Sequence, residues 1–300
     1  MKLALAGLGN MGRPLAERLL AKNFALTVTN RTKEKAVPLL EKGALWASSP
    51  AEAARDATIF ATMLADDGAL DSLLSGSGVF DALPPGSIHL SLSTISVDFA
   101  KQLEAEHARR GQGFVSAPVF GRPDAVVEGR LRVLCAGAQD AVDRVLPVLD
   151  ALGAKVFHLG TSPSMANLVK LSGNFMIASV LETLGEAFAL VRSGGIDPAL
   201  FLDIINDSLF RSPLYENYGK LMAEKRYGKA GFTMDLGLKD LRLVLEAAES
   251  LHVPLPLASI ARDSLLAGMA RGRQPLDWSA MVLSHYERAG FDETPEIQNA

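Results

Sequence analysis

The stretch "KLALAGLGNMGRPLAERLL" at residues 2–20 sets an apolar run against three glycines, Gly7, Gly9 and Gly12, with a charged, leucine-bearing run beyond them. A lysine before a short apolar segment also fits a cleaved export signal. Arg13, Glu17 and Arg18 argue against that reading, because they interrupt any continuous hydrophobic region. The spacing G-x-G-x-x-G, where a strand gives way to a helix, has a mechanical reading instead. Gly7 permits the tight turn, Gly9 lets backbone approach a pyrophosphate, and Gly12 lets the helix lie close to the strand. The free amides and positive dipole end of that helix then face the phosphates. Pro14 is tolerated there, since first-turn amides have no intrahelical partner. Gly7, Gly9, Asn10, Met11 and Gly12 are the expected cradle. A glycine-rich turn without a ligand is the bland alternative, and the rest of the chain decides between the two.

Up to about residue 160, short apolar runs alternate with helix-period segments. The candidate strands are "KLALAGL", "ALTVT", "ATIFATML", "SIHLSLS", "GFVSAPV", "LRVLCAG" and "KVFHLG", with helices such as "VDFAKQLEAEHARRG" between several of them. Such alternation predicts a Rossmann-type, doubly wound, mostly parallel sheet, which is the setting in which the glycine pattern binds a dinucleotide. After "GTSP" at residues 160–163 the strand signals stop. Helices are expected at roughly 164–193, 197–208, 213–226, 234–251, 256–271 and 277–289. The expected organisation is therefore a dinucleotide-binding domain over 1–162 and an all-helical substrate and oligomerisation domain over 163–300. The first helix is long enough to bridge them, and a cleft between two such domains is the natural place for a second substrate.

Composition narrows the classes. Three hundred residues, 48% of them apolar, suffice for a large core, and a net charge of −4 leaves no basic footprint for nucleic acid. The single cysteine, Cys135, excludes an internal disulfide and fits a buried thiol in a reducing compartment. The most apolar long stretch, 175–191, carries Glu182 and Glu186, which favours a core helix over a membrane span. A cytoplasmic protein is expected. Among the five histidines no H-E-x-x-H pattern occurs, and no G-x-S-x-G elbow is present, so neither a metal site nor an acyl-transfer site is expected.

The cofactor can be read further. The second strand ends "TVTNRTKEK", so Asn30 stands where an NAD enzyme carries an acid for the ribose 2′-hydroxyl. A neutral side chain there removes repulsion toward a 2′-phosphate, Arg31 can offer it a planar fork and Thr32 a hydroxyl. The alternative for Arg31 is a solvated residue at a helix start. NADP(H) is expected over NAD(H).

The chemistry is expected in "SMANLVKLSGNF", where Asn167, Lys170 and Asn174 share one helical stripe among Leu, Val, Met and Phe. A snorkelling lysine beside backbone-bonded asparagines is the structural alternative.

Taken with "GLGNMG", "MLADD" at 63–67, "SLSTIS" at 91–96, "SAPVFG" at 116–121, "KLSGN" at 170–174 and "FTMDLGLKDLRL" at 232–243, the chain resembles the β-hydroxyacid dehydrogenases over essentially its whole length. That family includes 3-hydroxyisobutyrate dehydrogenase and the glyoxylate and succinic semialdehyde reductases. The resemblance implies a catalytic Lys170 with Asn174 binding substrate beside it. It implies that Ser93 and Thr94 contact the substrate or the nicotinamide ribose, and that backbone near Phe120 and Gly121 cradles a substrate carboxylate. Met63 and Leu64 would line the cofactor's path, and Lys239, supported by Asp240, would reach its nicotinamide side. It also implies a homodimer or homotetramer acting on a small carboxylate or carbonyl substrate.

Two departures stand out. Ser164 and Ala166 occupy positions where the family has glycines. Phe120 replaces a serine hydroxyl in the substrate loop, followed by Arg122, which either supplies a replacement charge or faces water. An imine reductase of the same architecture and a non-catalytic dinucleotide-binding module are the rival readings. Lys170 counts against the first, and intact Lys170, Asn174 and Lys239 against the second.

Overall fold

The computed structural model describes residues 1–228 and 230–293. The chain separates into two compact units, Met1–Lys170 and Leu171 onward.

Among the described residues nine strands form the sheet of the first unit: β1 (Leu3–Ala6), β2 (Leu26–Thr29), β3 (Leu45–Trp46), β4 (Ile59–Thr62), β5 (Ile88–Ser91), β6 (Gly113–Ser116), β7 (Val119–Phe120), β8 (Leu131–Gly137) and β9 (Gly153–His158). They lie in the order β3-β2-β1-β4-β5-β6-β8-β7, with β9 on β8. Pairing is parallel from β3 to β6, and β8 runs antiparallel to β6 and β7. This is the expected doubly wound, mostly parallel sheet. Two details differ. The run "GFVSAPV" is split into β6 and β7 around Pro118, which has no N–H for a ladder. The two-residue β3, whose Leu45 is exposed, is too short for any period to announce it.

Alternation along β1 sets the two faces of the sheet. The unit's longer helices are α1 (Gly12–Ala21), α2 (Val97–Arg109) and α3 (Gln139–Leu152). Leu3 and Leu5 pack with Leu15 and Leu19 of α1 and with Val145 and Leu149 of α3. Ala4 and Ala6 face the other way, with Phe60 and with Ala100 and Leu103 of α2. Cys135 is free and buried, and burial pushes its thiol up to about 12, as a structural thiol requires.

Helix α4 (Ser164–Ser193) crosses from the first unit into the second, which continues with α5 (Pro198–Asp207), α6 (Pro213–Ala223), α7 (Met234–Ser250), α8 (Pro256–Met269) and α9 (Val282–Arg288). These match the expected helices to within three residues, except the last: the expected 277–289 opens as a 3-10 turn at Trp278–Met281 and becomes α9 only at Val282. Among the described residues, α4 alone is long and apolar enough to cross a bilayer. Leu171, Ala178, Leu181, Leu184 and Phe188 are buried along it and so is Glu182, the pattern of a core helix. Helix α7 packs on Trp278 at Gly237, where a Cβ would come within 2.7 Å of the indole.

A polar chain runs through the core of the first unit. Thr62 Oγ1 lies 2.9 Å from His89 Nε2, His89 Nδ1 lies 2.9 Å from His107 Nε2, and His107 Nδ1 lies 2.8 Å from Gln112 Oε1. Burial depresses both imidazoles, His89 well below its ordinary value and His107 to about 4. Unfolded histidines bind a proton near 6.5, so the folded state loses ground where the unfolded chain protonates and the folded chain does not. This stabilisation is complete above pH 6.5 and is lost as the pH falls toward 4. We expect the free energy of unfolding to decline through that window by up to about 1.4 kcal/mol per pH unit for each histidine, and the melting temperature to fall with it. A melting temperature unchanged between pH 7 and 5 would contradict it.

Candidate active site

Strand register assembles the site. Thr29, Ala6, Thr62, Ser91 and Ser116 stand side by side as the last residues of five adjacent strands, β2, β1, β4, β5 and β6. The residues just beyond this row are the candidates: Asn30 to Thr32 after β2, the glycine turn after β1, Met63 and Leu64 after β4, and Ser93 and Thr94 after β5. Such a carboxyl edge is where open parallel sheets bind ligands.

The glycines divide by what surrounds them. Gly7 has φ +97°, and a Cβ there would overlap the Met63 carbonyl oxygen. At Gly12 a Cβ would overlap the Gly7 carbonyl oxygen, so α1 can start this close to β1 only without a side chain. At Gly9 a Cβ would meet nothing within 4 Å, which is the open ground a pyrophosphate needs. Met11 caps α1 without a side-chain hydrogen bond, and no acid occupies the first turn. By contrast Ser49, Asp66, Ser96, Asp197 and Ser212 each cap their own helix. The N-terminus of α1, without a side-chain cap and with exposed Asn10 beside it, suits an anion, and the turn fits a dinucleotide.

Asn30 does more than stay neutral. Its Oδ1 accepts from Leu8 N at 3.0 Å and its Nδ2 donates to Thr32 O at 2.9 Å, so it braces the glycine turn against the end of β2. Arg31 and Thr32 are exposed next to it, and among the described residues Arg31 makes no ion pair. Ser93 is buried, and its Oγ accepts from Leu64 N at 2.8 Å, which ties the β4 and β5 loops together and leaves the hydroxyl hydrogen to give away. Met63 and Leu64 are half-buried at that junction, as is Thr94.

Helix α4 enters the same edge. Ser116 Oγ, at the end of β6, donates to Asn167 Oδ1 at 2.9 Å, while Asn167 Nδ2 is buried with no hydrogen-bond partner. One turn on, the Lys170 ammonium lies 4.5 Å from the centre of the Phe120 ring. The aromatic face holds the cation without taking its proton or neutralising it. Gly121, at φ +145°, lets the chain turn against Leu131, and half-buried Arg122 precedes the short helix Pro123–Val127. Ser116 is the contributor that sequence reasoning passed over, since nothing local marks its hydroxyl as facing a side chain 51 positions on.

The second unit holds the remaining candidates. Asn174, buried on α4, donates from Nδ2 to Asp240 Oδ2, and Lys239 Nζ lies 2.9 Å from Asp240 Oδ1. The second contact is an ion pair without hydrogen-bond alignment, since that carboxylate oxygen is otherwise unpartnered. Buried Asp240 thus orients an amide and a cation together, where the sequence suggested only support for Lys239.

Fold and site define a nicotinamide-dinucleotide oxidoreductase. Residues 2–160 match the NAD-binding domain of 6-phosphogluconate dehydrogenase, and residues 165–284 match the NAD-binding region of NADP-dependent 3-hydroxyisobutyrate dehydrogenase. An uncharacterised oxidoreductase of Bacillus subtilis is 44% identical over 94% of this chain and 99% of its own. The 3-sulfolactaldehyde reductase of Escherichia coli is 30% identical over 93% of this chain and 94% of its own. The crystal structure of 3-hydroxyisobutyrate dehydrogenase from Salmonella typhimurium superposes with a TM-score of 0.86 at 26% identity, covering 94% of this chain and 99% of that one. The chain belongs to the β-hydroxyacid dehydrogenase family.

Proposed function

We propose that this enzyme interconverts a short hydroxy acid and its aldehyde or keto form with NADP(H), and that Lys170 is the general acid in reduction and the base in oxidation. The bound nicotinamide supplies or accepts the hydride. Negative charge grows on the carbonyl oxygen as the carbon accepts hydride, and a cation with a transferable proton within hydrogen-bond reach stabilises it. The observation carrying this reading is the Lys170 ammonium held over the Phe120 ring, one turn beyond the Ser116–Asn167 bond that anchors α4 to the sheet edge. Ser93 donates to the substrate or ribose, Asn174 binds substrate in the orientation Asp240 imposes, and backbone at Gly121 with Arg122 receives the carboxylate. A panel of short aldehydes and keto acids with NADPH tests the assignment, glyoxylate and succinic semialdehyde among them. Turnover of a cyclic imine alone, or cofactor binding without turnover of any member, would overturn it.

NADP(H) preference rests on exposed Arg31 and Thr32 beside neutral Asn30. Losing charge-assisted bonds to a 2′-phosphate costs about 1.5–3 kcal/mol. Arg31→Ala is therefore expected to weaken NADPH binding roughly 10- to 100-fold in a fluorescence titration and to leave NADH nearly unchanged. Equal affinity of the unaltered enzyme for both cofactors would sink the preference.

A further inference from the structure

Within the second unit, α4 and α9 bring a second set of ionisable groups together. Glu182 and Glu186, one turn apart on α4, and His285 on α9 each present a ligand atom, and the three atoms lie within 4.8 Å of one another. Glu182 is 2% exposed and His285 5%, while Glu186 reaches solvent. Glu182 Oε1 is satisfied by Ser264 Oγ at 2.9 Å. Its Oε2 stands 3.4 Å from His285 Nε2, yet neither atom has a hydrogen-bond partner. They sit side by side and are not aligned donor to acceptor. Leaving two such atoms buried and unmatched is costly, and a cation shared between them would relieve that cost.

The spacing indicates which ligand. Two donors on a tetrahedral zinc ion, each about 2.1 Å from the metal, are separated by about 3.4 Å. Gly185 supports the geometry, since a Cβ there would overlap the His285 ring, which can approach α4 this closely only at a glycine. Among the described residues Arg288 donates to Ser264 Oγ at 3.3 Å and pairs with neither Glu182 oxygen. We propose that Glu182, Glu186 and His285 bind one divalent transition cation of the zinc type, with water completing its shell on the exposed side. An imidazole nitrogen with two carboxylate oxygens suits zinc, manganese or cobalt, and the absence of sulfur makes it a poor copper(I) site. The ion would cross-link α9 to α4 within the second unit.

The test uses the full chain, stripped with a chelator, dialysed and titrated with zinc chloride by calorimetry, with thermal melts in parallel. One site per chain with a dissociation constant in the micromolar range or below, and a melting temperature that rises with zinc, is the expected result. Glu186→Gln, on the exposed side where folding is undisturbed, should weaken binding by about tenfold or more, and isosteric Glu182→Gln at least as much. No saturable binding up to about 1 mM zinc would overturn the proposal and leave the three groups as a metal-free ion-pair cluster. Binding of equal strength in both variants would overturn it as well, by showing that the ion sits elsewhere.

Discussion

Replacing Lys170 with alanine is expected to lower kcat by about 10² to 10⁴, the usual worth of a positioned acid or base. Cofactor affinity is expected to hold, because the phosphate cradle is built from residues 7–12 on the β1–α1 turn, whereas the lysine is carried by α4. Lys170→Arg separates charge from proton. Guanidinium keeps the cation and can still stack on Phe120, but it does not release its proton at ordinary pH, so activity should remain nearly as low. An arginine variant with most of its activity restored would reduce the lysine to a charge that holds the substrate. An alanine variant retaining more than about a third of wild-type kcat on the best substrate, far from the loss expected of a general acid, would remove Lys170 from catalysis altogether.

The second large effect divides the glycine turn into fold and function. Gly12→Ala would press a methyl group into the Gly7 carbonyl oxygen, a backbone atom that cannot rotate away. The helix must shift, at a cost of about 3 kcal/mol or more, or on the order of 6–12 °C in Tm. At Gly9 an added Cβ has no chain atom within 4 Å and the backbone is not left-handed, so the Tm of Gly9→Val should stay within about 2 °C of wild type. Its NADPH affinity should fall about 10- to 100-fold, because the added branch occupies ground the pyrophosphate needs. Wild-type cofactor affinity in Gly9→Val, measured on protein of normal Tm, would show that the dinucleotide does not approach there.

The sheet and the helical run after it were legible because each rests on local periodicity. Apolar runs of strand length alternate with helix-period segments up to "GTSP", and none do afterwards. The glycine turn was legible because its mechanics demand three small residues at fixed offsets. Contacts made across long sequence distances were not. Ser116 meets Asn167 across 51 positions, and no pattern in "SAPVFG" distinguishes a hydroxyl that donates to a helix from one that faces water. Asn30 could be read as the absence of an acid, whereas its brace on Leu8 depends on how far β2 extends beside β1. Glu182 and Glu186 served in the sequence only to interrupt a hydrophobic run. That one is buried against His285, 103 positions away from it on the chain, is decided by helix packing alone.

The histidine chain has a sense of direction, and one residue sets it. Gln112 Nε2 donates to Phe80 O at 2.9 Å and Leu83 O at 2.6 Å, which commits its oxygen to face His107. His107 Nδ1 must then carry the hydrogen, and its other nitrogen, in a neutral ring, can only accept. His89 therefore donates from Nδ1 and accepts at Nε2, and the Thr62 hydroxyl points into the chain. Both rings are held as the Nδ1–H tautomer by an amide 50 positions from Thr62. Reversing any single link would require the others to reverse with it and would turn the Gln112 oxygen onto two carbonyls. The interior of the sheet is thus wired one way, as an ordered row of dipoles that ends where the loop bearing Met63 and Leu64 begins.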